Sequence, residues 1–223
     1  MSESVPQQPF PEERLLLSEL THRINNEFAS AISVVSLAAA RSNNDEVRNA
    51  LAAVTACLQQ HALVHRALQM PEYRTRVDAA AYFRQLCLSI RLSKLDFKNI
   101  TLVLVDRPIS MQSDRCWQLG MIVYELITNS ARHAFDERNG EIRVELFPSG
   151  SFVECRVSDN GSAPAEFRPG RGLKIIEALV EGLDGRFKQQ FEAQGSTTVV
   201  IVPACEHHEP QLKRQECYQI GKL

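Results

Sequence analysis

The chain is expected to fold as α+β, an antiparallel pair of long helices followed by a mixed sheet covered by helices. Three observations predict this. Apolar residues recur at three- and four-residue spacing through the first third, interrupted only by the polar turn "SNND". Past "PEYRTR" the texture changes to short alternating stretches such as "NITLVLV", "EIRVELF" and "STTVVIV", with helical segments between them. Finally, 223 residues with a 44% hydrophobic content suffice for a packed core.

Residues 1–11, rich in Pro, Gln and Ser, read as a disordered N-terminus. In the first helix, running to about Arg41, the positions Leu16, Leu20, Ile24, Phe28, Ile32 and Val35 form one apolar stripe. At about 100° per residue, His22 falls roughly 200° from both Leu20 and Ile24, on the polar face between Glu19 and Asn26. "SNND" ends in a cap at Asp45, and a second amphipathic helix follows until Pro71 closes it. The stripe of this hairpin, 12–72, is too long for one partner helix to cover, so a homodimer built as a four-helix bundle is expected.

Residues 73–204 read as the sheet domain: a helix over about 78–94, the strand "NITLVLV", a long helix inside "SDRCWQLGMIVYELITNSARHAF", and two strands turning through Pro148 and Gly150. The turn "RPGRG" leads into the helix "LKIIEALVEGL", Asp184 and Gly185 turn the chain, and two last strands finish at Pro203. Residues 205–223 read as a flexible tail.

The net charge of -2, with both signs interspersed, leaves no basic footprint for nucleic acid and no polybasic membrane patch. Neither a signal peptide nor an apolar stretch of spanning length is visible, so a cytoplasmic protein is expected. Six cysteines without a CxxC pair read as reduced, mostly buried small hydrophobes. Cys205, His207 and His208 cluster in the tail, but adjacent histidines alone fix no tetrahedral metal site. His61 and His65, four apart on the second helix, read as packing or surface residues.

Three stretches carry chemistry. In "ELITNSARHAF" Glu125 and Asn129 share a helix face, and the Asn129 carbonyl suits a hard cation such as Mg²⁺. "SDNG" ends a strand, where Asp159 can accept from an exocyclic amine and Gly161 lets a planar ring approach the backbone. "PGRGL" sets Gly170 and Gly172 before a helix start, where free N–H groups bind phosphate. Singly, each has an ordinary structural reading; their order and spacing join them.

Over nearly the whole chain, from about Leu15 to Pro203, the sequence resembles the bacterial histidine kinases whose H box reads H-R-x-x-N, the sister group of the HWE kinases. "SELTHRINN" resembles the H box, "LGMIVYELITNSARHAF" the N box, "VSDNG" the first glycine box, "GRGLKIIEALVEGLDG" the second, and "GSTTVVIVP" the closing strand, with Ser196 where Thr is usual. The resemblance implies a GHKL-type ATP-binding domain, a sandwich of sheet and helices, behind the dimerisation hairpin. It implies that His22 accepts a phosphoryl group from Mg-ATP, with Glu19 or Glu125 orienting or deprotonating it and Asn26 one turn on. Asn129 would bind Mg²⁺, Arg132 and His133 would be the basic-His pair, and Asp159 would read adenine beside Gly161. Gly170, Arg171, Gly172 and Leu173 would cradle the β- and γ-phosphates. The implied partners are a response regulator receiver domain, a second copy, and, with few residues ahead of the first helix, a separate sensor protein.

The chain also departs from the family. Ala163 replaces a glycine, "SAPAEFRP" is a short ATP lid, and Asn25 and Glu27 replace the usual Lys and Asn. The short lid and Ala163 favour an alternative, a dimeric histidine phosphotransfer protein with a degenerate ATP-binding domain. A serine kinase of the anti-sigma-factor type would resemble only the second half.

Overall fold

A computed structural model describes residues 11–71, 75–135, 139–162 and 170–204. Residues 1–10, Ala163 with most of the short lid, and the tail with Cys205, His207, His208 and Cys217 lie outside the described residues.

Two helices, α1 (Pro11–Arg41) and α2 (Asp45–Ala67), form the hairpin. Both ends of α2 correct the sequence reading. Asn44, in extended backbone, caps the helix by accepting from Glu46 N at 2.8 Å and Val47 N at 3.4 Å, while Asp45 is already its first helical residue. Its C-terminus comes before Pro71, because side chains of the sheet domain take the last carbonyls: Tyr82 Oη donates to Ala67 O (3.1 Å) and Trp117 Nε1 to Leu68 O (2.9 Å). Val64 is buried there in the core of that domain. By contrast Leu16 and Leu20 stay 63% and 55% exposed, so α2 alone does not cover the stripe.

A three-residue strand β1 (Arg76–Asp78) leads into α3 (Ala79–Ile90), capped by Asp78. The helix predicted to reach 94 instead widens into a π turn at Arg91–Leu95 and a 3-10 turn at Asp96–Lys98. Asn99, at φ 53°, reverses the chain into β2 (Ile100–Asp106). Next come β3 (Ser110–Gln112), paired antiparallel with β1, then α4 (Ser113–His133), β4 (Gly140–Ser149), β5 (Phe152–Asp159), α5 (Arg171–Gly182), β6 (Arg186–Glu192) and β7 (Gly195–Pro203). Strands β1 and β3 were not foreseen, since three residues carry too little periodicity to read.

The main sheet runs β2-β4-β5-β7-β6, with β2 parallel to β4 and the other pairs antiparallel. One face is apolar: Ile142, Val144 and Leu146, Val153, Cys155 and Val157, and Val200 and Val202 pack under Phe83, Leu86, Leu119, Ile122 and Ile176 of the helices. The opposite face carries Arg156 between Glu145 and Glu154. Cys87, Cys116 and Cys155 are free and buried, and burial pushes the first two thiols up to about 12, as expected of small hydrophobes. Among the described residues no helix is long and apolar enough to cross a membrane.

Candidate active site

A cavity of about 300 Å³ lies between the inner face of the sheet and the helices α4 and α5. From α4 it receives Leu126, Asn129, Ser130 and His133, which recur at three- and four-residue spacing and so share one face. The strand end of β5 supplies Asp159, and β7 supplies Ser196 and Thr198. Gly170, Gly172 and Leu173 bring the start of α5 to the rim.

Asp159 is held by four donors. Ser130 Oγ (2.8 Å) and Ser196 Oγ (2.7 Å) donate to Oδ2, while the N–H groups of Gly161 (3.1 Å) and Ser196 (3.3 Å) donate to Oδ1. Ser196 reaches both oxygens because it stands opposite Asp159 in the β5–β7 register. Two glycines make this close assembly possible. A Cβ on Gly161 would lie 2.2 Å from Ala134 O, and one on Gly195, which sits at φ 136°, would lie 1.9 Å from Asp159 O.

Gly172 seats α5 against the Glu125–Asn129 face of α4. A Cβ there would meet Asn129 Nδ2 at 3.1 Å and Glu125 Oε2 at 3.2 Å, so the helix start and this amide–carboxylate pair touch only because the side chain is absent. Free N–H groups at a helix start, an amide carbonyl and an anchored carboxylate suit the phosphate end, the cation and the base amine of a nucleotide. Among the described residues no three His, Cys, Asp or Glu side chains group as a metal site. Asn129 with waters and phosphates is the kind of sparse shell that Mg²⁺ accepts.

Not every predicted residue joins the cavity. Arg132 is exposed and absent from its lining, whereas His133 takes part. Glu125 stands behind Gly172, and nothing is described of the Arg171 side chain beyond its place as the first residue of α5. His22, Glu19 and Asn26 are exposed on α1, apart from the cavity, and Glu19 pairs with Arg23 at 2.9 Å. Phe28 meets the His65 ring at 5.5 Å, so His22, about 9 Å further along the axis, lies toward the end where α2 docks onto the sheet domain.

Sequence reading missed Ser130, Thr198 and the β6 residues Phe187, Gln189 and Phe191. Continuing the helical period one residue past Asn129 would have found Ser130. The β6 residues follow period two, but that pattern does not reveal which strand becomes their neighbour.

A family model described as histidine kinase matches residues 19–94, and one described as histidine kinase-like ATPase domain matches residues 99–202. The sensor histidine kinase PdtaS of Mycolicibacterium smegmatis is 29% identical over 202 residues, covering 83% of this chain and 38% of that protein. Blue-light-activated histidine kinase 2 of Erythrobacter litoralis is 21% identical over 204 residues, covering 84% of this chain and 56% of its own. The chain thus spans well under two thirds of these relatives. In shape it is similar to the histidine kinase domain of the Erythrobacter litoralis EL346 kinase, with a TM-score of 0.57, 17% identity, and coverage of 86% of this chain and 92% of that one.

Proposed function

From the premise that the chain belongs to the histidine kinase family, we propose that it phosphorylates its own His22 from Mg-ATP and passes the group to an aspartate of a response regulator. The observation that carries this reading is Gly172 seated on Asn129 and Glu125 beside the anchored Asp159. A relay without ATP chemistry has no use for that arrangement, which favours the kinase over the phosphotransfer alternative.

Asp159 accepts from the base amine and fixes the nucleotide at the sheet end of the cavity. Asn129 offers its carbonyl oxygen to the cation, and the N–H groups at the start of α5, from Gly170 to Leu173, face the phosphates. Mg²⁺ held by Asn129 would supply neutralisation of the phosphate charge. The ring nitrogen of His22 that bears no proton attacks the γ-phosphorus as the bond to the bridging oxygen breaks, leaving ADP and a phosphohistidine. Glu125, or Glu19 released from Arg23, orients the imidazole or takes the proton that its other nitrogen releases. Positioning and charge neutralisation supply most of the rate in such transfers. Exposure of His22 serves the second step, since an aspartate of another protein must reach it. The uncovered Leu16, Leu20 and Ile24 support pairing of two hairpins into a four-helix bundle.

The test is incubation with γ-labelled ATP and Mg²⁺ of the wild type, His22→Ala and Asn129→Ala, scoring acid-labile, base-stable label. Label in the wild type and none in either variant is expected. Label retained by His22→Ala would remove that residue as acceptor, and a wild type that neither labels nor binds nucleotide would return the phosphotransfer reading.

A further inference from the structure

Asp159 already holds as many donors as an ionised carboxylate has acceptor positions, about four. A base amine can therefore bind it only by displacing one. The N–H of Gly161 cannot leave, since its turn is wedged against Ala134 and Ser162 N donates to Ala134 O at 2.8 Å. The N–H of Ser196 is fixed by the β5–β7 register. Only the two hydroxyls rotate. Ser196 grips the carboxylate through hydroxyl and N–H together, whereas Ser130 reaches across from α4 with a single 2.8 Å bond and lines the cavity one residue after Asn129.

We propose that Ser130 is a specificity-determining residue of the base subsite: its hydroxyl yields Asp159 Oδ2 to the exocyclic amine of adenine and turns its O–H to the neighbouring ring nitrogen, N1. This rests on the nucleotide-binding reading above. Adenine presents a donor and an acceptor side by side, and guanine presents an acceptor and a donor in the same places. A carboxylate beside a freed hydroxyl offers acceptor and donor in the order adenine needs, and the carboxylate opposes the carbonyl oxygen of guanine. Mismatches of this kind discriminate strongly, because they leave buried polar groups without partners.

The experiment compares dissociation constants of the full chain for ATP and for 1-deaza-ATP, in which a C–H replaces N1. Wild type should prefer ATP about tenfold, the worth of one hydrogen bond. Ser130→Ala should bind the two nucleotides equally, and Ser130→Thr, which keeps the hydroxyl, should restore the preference. A serine that merely braced Asp159 would weaken both nucleotides alike and leave their ratio untouched. An unchanged ratio in Ser130→Ala, or no preference in the wild type, overturns the inference while leaving the kinase reading standing. A wild type that binds neither nucleotide overturns that reading, and the assignment of Ser130 with it.

Discussion

Asp159→Asn separates two tasks of the carboxylate, holding the strand end and, in the proposed function, accepting from the base. Backbone N–H groups of Gly161 and Ser196 donate to Oδ1, a place the amide oxygen can take. The amide nitrogen then replaces Oδ2, where both donors are hydroxyls, of Ser130 and Ser196, that can rotate and accept instead. All four contacts survive, but none is charge-assisted any longer. Given the half-buried site, the loss should come to about 2 kcal/mol, or roughly 4–8 °C in melting temperature for a chain of this size. Nucleotide affinity should fall much further, because an N–H donor now faces the amine. One lost charge-assisted hydrogen bond and one opposed pair of donors correspond to about 3 kcal/mol, on the order of 100-fold in Kd. Thermal melting followed by circular dichroism, and competition against a fluorescent ATP analogue, would measure the two effects on the same protein. A variant that fails to fold would mean that the hydroxyls cannot turn; one that binds ATP within about threefold of wild type would mean that Asp159 does not read the base.

Gly172→Ala places a methyl group 3.1 Å from Asn129 Nδ2 and 3.2 Å from Glu125 Oε2, so those side chains must move by a few tenths of an ångström. Stability should change by less than about 1 kcal/mol, since alanine also favours the helix, while autophosphorylation drops roughly tenfold through misplaced Asn129; an unchanged rate would separate the pair from catalysis. Leu20→Glu with Ile24→Glu should yield a monomer in sedimentation equilibrium, as both residues lie in the exposed stripe, and a persisting dimer would place the interface elsewhere. Burial, together with Lys94 and His65 nearby, lowers the pKa of His61. Because the folded state then favours the neutral ring, the unfolded chain binds the proton first, and stability should decline as pH falls below about 6.5 and level off above it. Urea midpoints across that range should show a shallower slope in His61→Gln; an equal slope would assign the acid sensitivity to other groups.

What could be read early was whatever repeats over short distances. Helical spacing placed His22 opposite the stripe and set Glu125 and Asn129 on one face, and both placements hold in the folded chain, whereas α5 starts two residues earlier than read, at Arg171, so that Gly170 precedes the helix and Gly172 lies in its first turn. Boundaries were less legible where distant partners decide them. α2 stops at Ala67 because Tyr82 and Trp117 donate to its last carbonyls, although the nearest sequence signal is Pro71. Arg115 of α4 is only 4% exposed and donates to the carbonyls of Leu183 and Pro203, partners far away in sequence that the fold alone brings to it.

The candidate site shows the same division. Asp159 stands out only when "SDNG" is read together with the other two motifs, and its four donors come from Ser130, Gly161 and Ser196, on three separate stretches of chain. Amphipathic period and glycine placement are local properties, dictated by dihedral preference and by which side of an element is apolar, and they determined the hairpin and the mixed sheet, whereas the roles within each motif came from the resemblance. Which hydroxyl meets which carboxylate depends on strand register and on how α4 lies over the sheet. Only the tertiary structure decided that, because side-chain packing between elements far apart in sequence sets both.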